Sequence, residues 1–170
     1  MDDDYLNDIW AVYFHDPYDI NWNTNSYINI GTINSISDFW NHTACLKDHL
    51  HQGMFFIMRE YVFPMWDDKE NINGGCLSIK VLKENIDTYW QDLSMKLLGE
   101  TLLKPAHRHK WDFVNGISTS PKKHFCIIKI WLKDDSLTNK DLFDLLPSYG
   151  DVIYKSNREN ITNDNVKKVE

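Results

Sequence analysis

At 170 residues the chain is long enough for one domain with a real core, and 42% hydrophobic against 25% charged residues is a soluble, globular balance. A net charge of −7 excludes broad, sequence-independent binding to a nucleic-acid backbone, which needs a basic face, but allows a small phosphorylated ligand held by a few local cations. No run approaches ~18 apolar residues, so no membrane span is expected.

Residues 1–8 are acidic and expected to be flexible, with no basic region or apolar run to make a signal peptide. Ile9-Trp10-Ala11-Val12-Tyr13-Phe14 predicts a strand, His15-Asp16-Pro17 a turn, and residues 19–25 a polar loop carrying Trp22. Residues 27–33 alternate as a half-buried strand. Ser35 is placed to cap a helix running to about Leu50, with Asp38 in its first turn and Ile36, Phe39, Trp40 and Leu46 on one side. Met54–Met58 reads as a buried strand. A polar loop with Trp66, Asp67 and Asp68 follows, then a turn at Asn73-Gly74-Gly75 and an alternating strand over Cys76–Leu82.

Residues 85–98 repeat apolar side chains at helical spacing, with Gly99 suited to a left-handed cap. Strands over 113–120 and 124–132 flank a hairpin at Pro121-Lys122-Lys123. Thr138-Asn139-Lys140-Asp141 predicts the start of a short third helix ended by Pro147. Residues 151–154 read as a last strand, and 155–170 as a polar, mobile tail. Without βαβ alternation, this sums to an α+β fold with an antiparallel sheet of about seven to eight strands, three helices on one face and the other face free. Cys45, Cys76 and Cys126 are odd in number and far apart, which suits reduced thiols in a cytoplasmic setting.

Trp22 and Trp66 share a context: each sits in a loop among Asn and Asp, without an apolar period to bury it. Two such rings can close on a flat base from both sides, and stacking contributes roughly 1–3 kcal/mol per base. A positively charged base adds a cation–π term of about 0.5–2 kcal/mol per ring. Guanine methylated at N7 has that charge and presents N1–H and N2–H₂ on one edge. A carboxylate beside Trp66, Asp67, can accept both. Lys122 and Lys123 can take phosphates, and Trp131 can wall the pocket near the methyl group. The alternative is that the two rings simply lid the sheet and the lysines form a solvated turn.

The ordered set of Trp10-Ala11-Val12-Tyr13-Phe14, Trp22, Asp38-Phe39-Trp40, Pro64-Met65-Trp66-Asp67-Asp68 through Gly74-Gly75, Tyr89-Trp90, Leu97-Leu98-Gly99-Glu100 and Ile128-Lys129-Ile130-Trp131 resembles the eukaryotic translation initiation factor 4E family. That family binds the 7-methylguanosine cap of messenger RNA. The resemblance implies a curved sheet with helices on the convex face and the cap on the concave face, within one cap-binding domain over 9–154. It implies Trp22 and Trp66 as stacking rings, Asp67 at the guanine edge, Lys122 at the phosphates and Trp131 near the N7-methyl. It also implies a convex patch receiving a helix from a scaffold initiation factor or an inhibitory protein, with Trp40 at its centre, Ile36 and Met95 beside it, and Tyr5 and Gln91 where the pattern departs.

Other departures bear on the site. Asp67 and Lys122 stand where the family has Glu and Arg, so the carboxylate is shorter and the guanidinium fork is lost. Asp68 is a second acid able to read the base. The family's second phosphate lysine aligns with Ile127, leaving Lys123 or His124 to compensate. A protein that held caps without recruiting a scaffold would instead repress translation. The pairs His49/His51 and His107/His109 lack a third ligand at a motif-like spacing, so neither metal nor cofactor is expected, and no catalytic motif is present. Asp67, Asp68 and Glu70 keep open a hydrolase acting on capped RNA with Mg²⁺.

Overall fold

The computed structural model describes residues 4–169. Its sheet is built from β1 (Tyr5–His15), β2 (Tyr27–Ser35), β3 (Met54–Arg59), β4 (Gly75–Leu82), β5 (Val114–Pro121), β6 (Phe125–Leu132) and β7 (Val152–Ser156). The seven strands lie in the order β2-β1-β3-β5-β6-β4-β7, every pair antiparallel. The helices are α1 (Ile36–Leu46), α2 (Ile86–Leu98) and α3 (Asn157–Val169). Among the described residues no helix is long and apolar enough to cross a membrane.

Strand alternation divides the apolar residues between two faces. Trp10, Val12, Ile57, Ile79, Ile117, Ile128 and Ile130 point into the main core, where they meet Phe39 and Leu46 of α1 and Trp90, Leu93 and Leu97 of α2. On the opposite, concave face Phe56, Met58, Cys76 and Trp131 form a second, smaller cluster. Register shifts between Val12 and Tyr13 and between Val114 and Gly116 bend the sheet. At the second of these Gly116 takes φ +158°, and a Cβ there would lie 2.3 Å from the Ile57 carbonyl oxygen. Gly74 is required for closeness: a Cβ would come within 1.8 Å of the Leu132 oxygen. The Gly-Gly pair read as a turn signal thus admits the start of β4 against the end of β6.

Ser35 caps α1 as expected, its Oγ accepting from Asp38 N at 3.2 Å. α2 ends differently. Gly99 stays at φ −85°, and Glu100 takes the left-handed conformation at φ 59°.

Three expectations are corrected. β1 begins at Tyr5, so residues 5–8 are strand rather than a loose terminus; Tyr5 pairs with Ser35. Residues 1–3 lie outside the described residues. The helix expected from Thr138 is replaced by short 3-10 turns at Asp135–Leu137 and Lys140–Leu142. Leu137 and Phe143 are buried there, and backbone bonds from Lys104 to Leu142 and from Asp144 to Leu102 pull the chain straight. In place of the mobile tail expected over 155–170, Lys155 and Ser156 complete β7 and residues 157–169 form α3, anchored by the buried Asn157.

Candidate functional site

The concave cluster is the ground of the site. Trp131, 3% exposed, forms its floor, donating its indole N–H to Ser118 Oγ at 2.9 Å and meeting Phe56 edge-on at 6.3 Å. Tyr27 stands above Phe56 (5.5 Å) and Phe63 (5.2 Å) and touches Trp22 at 6.2 Å. Trp66 packs half-buried against the same cluster.

Trp22 is 50% exposed but not loose. Its indole lies flat on the His15 imidazole, centroids 3.9 Å apart and planes 2° apart. His15 is fully buried, with Nδ1 at 2.8 Å from Asp16 O, Nε2 at 2.8 Å from Asn21 O and Ser26 Oγ at 3.2 Å. The imidazole, enclosed among these three oxygens, is a buried plate beneath Trp22, whose indole stays half exposed. His15 read as a turn residue in the sequence, because a ring stacked across a loop leaves no periodic signal.

The two candidate acids differ. Asp67 is exposed, and among the described residues its carboxylate accepts no hydrogen bond. It nevertheless acts on the site: burial first, and then the Asp67 charge, hold the Tyr27 phenol well above its ordinary range. Asp68 is already engaged, its Oδ2 accepting from Glu70 N at 3.1 Å. Asp67 is the more exposed of the two, while Asp68 is half-buried with one carboxylate oxygen committed to the loop backbone. Glu70 pairs with Lys133 at 3.5 Å. Among the described residues no group of three or more His, Cys, Asp or Glu could hold a metal ion.

Lys122 and Lys123 are exposed on the β5–β6 hairpin, with Lys122 N donating to Phe125 O at 2.7 Å. Sequence reasoning passed over Lys129. It lies two residues before Trp131 on the same face of β6, roughly 7 Å along the strand. It is close enough to Cys76 to pull against the burial that pushes that thiol up to about 12. Lys80 shares the face and sits over the Phe125 ring at 4.3 Å. Cations thus run along the concave face from Trp131 towards the hairpin. Lys129 reads in the sequence as the polar partner of an alternating strand, and only the register shows which face it takes.

The predicted partner residues lie on the helical side. Tyr5 (74% exposed) adjoins Ile36, whose N–H donates to Asp4 O at 3.0 Å. Trp40 is exposed one helical turn on from Ile36, and Gln91 and Met95 are exposed one turn apart on α2.

Residues 5–169 match the family model described as eukaryotic initiation factor 4E. Eukaryotic translation initiation factor 4E of Xenopus laevis is 29% identical over 105 residues, covering 56% of this chain and 48% of the relative. Factor 4E-1A of Danio rerio is 28% identical over 145 residues, covering 80% and 63%. The chain spans about half the length of the first curated relatives it matches. Among solved structures, Caenorhabditis elegans eIF4E-3, in complex with the 4E-binding protein Mextli and a cap analog, superposes with a TM-score of 0.79 at 17% identity, covering 95% of this chain and 96% of that one. Schistosome eIF4E, complexed with m7GpppG and 4E-BP, gives 0.70 at 20% identity over 84% and 79%. These structural likenesses establish the fold. With a family match that runs from the first residue of β1 to the last of α3, the chain belongs to the eukaryotic initiation factor 4E family.

Proposed function

We propose that the protein binds the 7-methylguanosine cap of messenger RNA on its concave face and acts in translation initiation, without catalysing a reaction on its ligand. One observation carries this reading. Tyr27 and Trp66 both pack on the concave aromatic cluster, Tyr27 meets the half-exposed Trp22 edge-on at 6.2 Å, and Asp67 follows Trp66 in the chain, which supports two loop indoles and a carboxylate serving one base site. The base enters between Trp22 and Trp66, with Trp131 below, and its N–H edge meets Asp67. The phosphates run over Lys129 towards Lys122 and Lys123. Titration with 7-methyl-GTP is expected to quench tryptophan emission; folded protein without a quench would remove the reading.

Asp68 is engaged by Glu70 N and Glu70 by Lys133, and among the described residues Asp67, Asp68 and Glu70 do not converge as a metal-holding group, which supports a binding protein over an enzyme. The exposed Tyr5, Ile36 and Trp40, with Gln91 and Met95, support a helix-receiving patch for a scaffold initiation factor or an inhibitory protein. Such a patch favours the initiation factor over a repressor that only occupies caps. Retention of a scaffold-derived helical peptide, lost in Trp40→Ala, checks this. The reading puts the protein in the cytoplasm.

Two further outcomes test the geometry. His15→Ala removes the plate under Trp22. An aromatic pair contributes about 0.5–1.5 kcal/mol beyond its buried area, so cap-analogue affinity is expected to fall roughly two- to tenfold, with His15→Phe, which keeps a ring but loses the polar contacts that hold it, recovering only part of it. Lys129→Ala is expected to weaken 7-methyl-GTP by about 1 kcal/mol, roughly fivefold, and to leave 7-methylguanosine without phosphates unchanged. Equal loss for both ligands would take Lys129 off the phosphate path.

A further inference from the structure

The Trp66 loop is held from behind by three fully buried asparagines on three separate segments. Asn71 Nδ2 donates to both Phe63 O and Met65 O at 2.9 Å, clamping the residues on either side of Pro64, immediately ahead of Trp66. Asn71 Oδ1 accepts from Asn115 Nδ2 at 2.8 Å, and the same Nδ2 donates to Glu70 O at 2.8 Å. The Asn71 backbone oxygen accepts from Asn157 Nδ2 at 2.8 Å. Every side-chain nitrogen in the set faces only oxygen acceptors, so the partners fix each amide's orientation.

Asn157 is the first residue of α3 and binds twice, its backbone N–H also donating to Gly74 O at 2.9 Å. Arg158 adds a contact from its Nη2 to Asn73 Oδ1 at 2.6 Å. The first turn of the C-terminal helix therefore grips the far end of the Trp66 loop at Asn71, Asn73 and Gly74. Buried amides are expensive to desolvate, so each Nδ2 donor here is held by its acceptors, although the Asn115 and Asn157 side-chain oxygens have no partner and the specificity rests on the donor side alone.

We propose that the Asn71–Asn115–Asn157 set is the positioning device of the Trp66 loop, and that α3, acting through Asn157, sets the affinity of the base site without touching the ligand. This rests on the reading of Trp66 as a stacking platform. Stacking needs the indole plane held before the base arrives, and a loop free to rock loses that preorganisation.

The test uses the full chain with Asn157→Ala, read in two ways. Without ligand, amide hydrogen exchange over residues 65–72 is expected to rise roughly tenfold, while amides of residues 10–14 keep their protection. With 7-methyl-GTP, affinity is expected to fall roughly three- to tenfold, the worth of one buried hydrogen bond. A merely structural role would accelerate both segments together and leave affinity unchanged in folded protein; either result overturns the proposal. If Asn157→Ala does not fold, Asn157→Ser, which keeps a hydroxyl donor at shorter reach, is read against the same two outcomes. If the unaltered protein binds no cap analogue, the functional reading has failed, and the tether stands or falls on exchange alone.

Discussion

Trp66→Ala is expected to weaken 7-methyl-GTP binding by roughly 2–4 kcal/mol, about 30- to 700-fold, and to remove most of the ligand-induced quench. Trp66 would supply one of two stacking faces, and a cationic base between indoles gains the cation–π term as well as the stack. The ring is half-buried against the concave cluster, so its plane is already constrained in the free protein. Truncation therefore removes a preformed surface. Trp66→Phe keeps a smaller ring and is expected to recover part of the loss. Asp67→Asn separates stacking from edge recognition: the indoles remain, but the amide can no longer accept from both N–H groups, so preference for guanine over adenine should narrow. A Trp66→Ala variant with unaltered affinity would place the base elsewhere.

The second large effect is on stability. Arg59 ends β3 with its side chain 4% exposed and makes three polar contacts: Nε to Val114 O at 2.7 Å, Nη2 to Trp111 O at 3.0 Å and Nη1 to Asp8 at 2.6 Å. Its guanidinium also lies 4.9 Å from the Trp10 ring and 5.5 Å from Trp111. Arg59→Met fills similar space but leaves two carbonyls without their donors. Each orphaned buried group costs about 1–3 kcal/mol, so a loss of roughly 2–6 kcal/mol is expected in urea unfolding. Asp8 is 42% exposed and can rehydrate, so Asp8→Asn alone should cost under about 1 kcal/mol. Arg59→Lys keeps the charge without the fork and should recover little.

Much of this architecture is written in residue patterns. The strand cores, the Ser35 cap and the helix over 86–98 follow from alternation and helical spacing, because each buries a periodic face. The Trp66 loop stood out for the opposite reason: a large ring without an apolar period. What stayed hidden depends on contacts between segments far apart in the chain. Asn71, Asn115 and Asn157 look like ordinary polar loop or strand residues until three backbones converge. α3 gives no helical signal in the sequence because its residues are polar; its first residue, not an apolar stripe, anchors it. Between Thr138 and Pro147, helix-start signals lost to the burial of Leu137 and Phe143 and to backbone pairing with 102–104. Glu100 rather than Gly99 turns left-handed because the turn falls one residue later than composition suggests.

The strand order carries a consequence for biosynthesis. β1, β2 and β3 can pair as soon as residue 59 has left the ribosome, but β4 must wait for β6, and the β5–β6 hairpin wedges between β3 and β4. Until residue 132 is made, two interior strands present raw edges, both carrying buried-type side chains. Such edges are templates for pairing with other chains. A nascent chain stalled between β4 and β6 is therefore the form most exposed to aggregation, and the stage at which a chaperone would matter most.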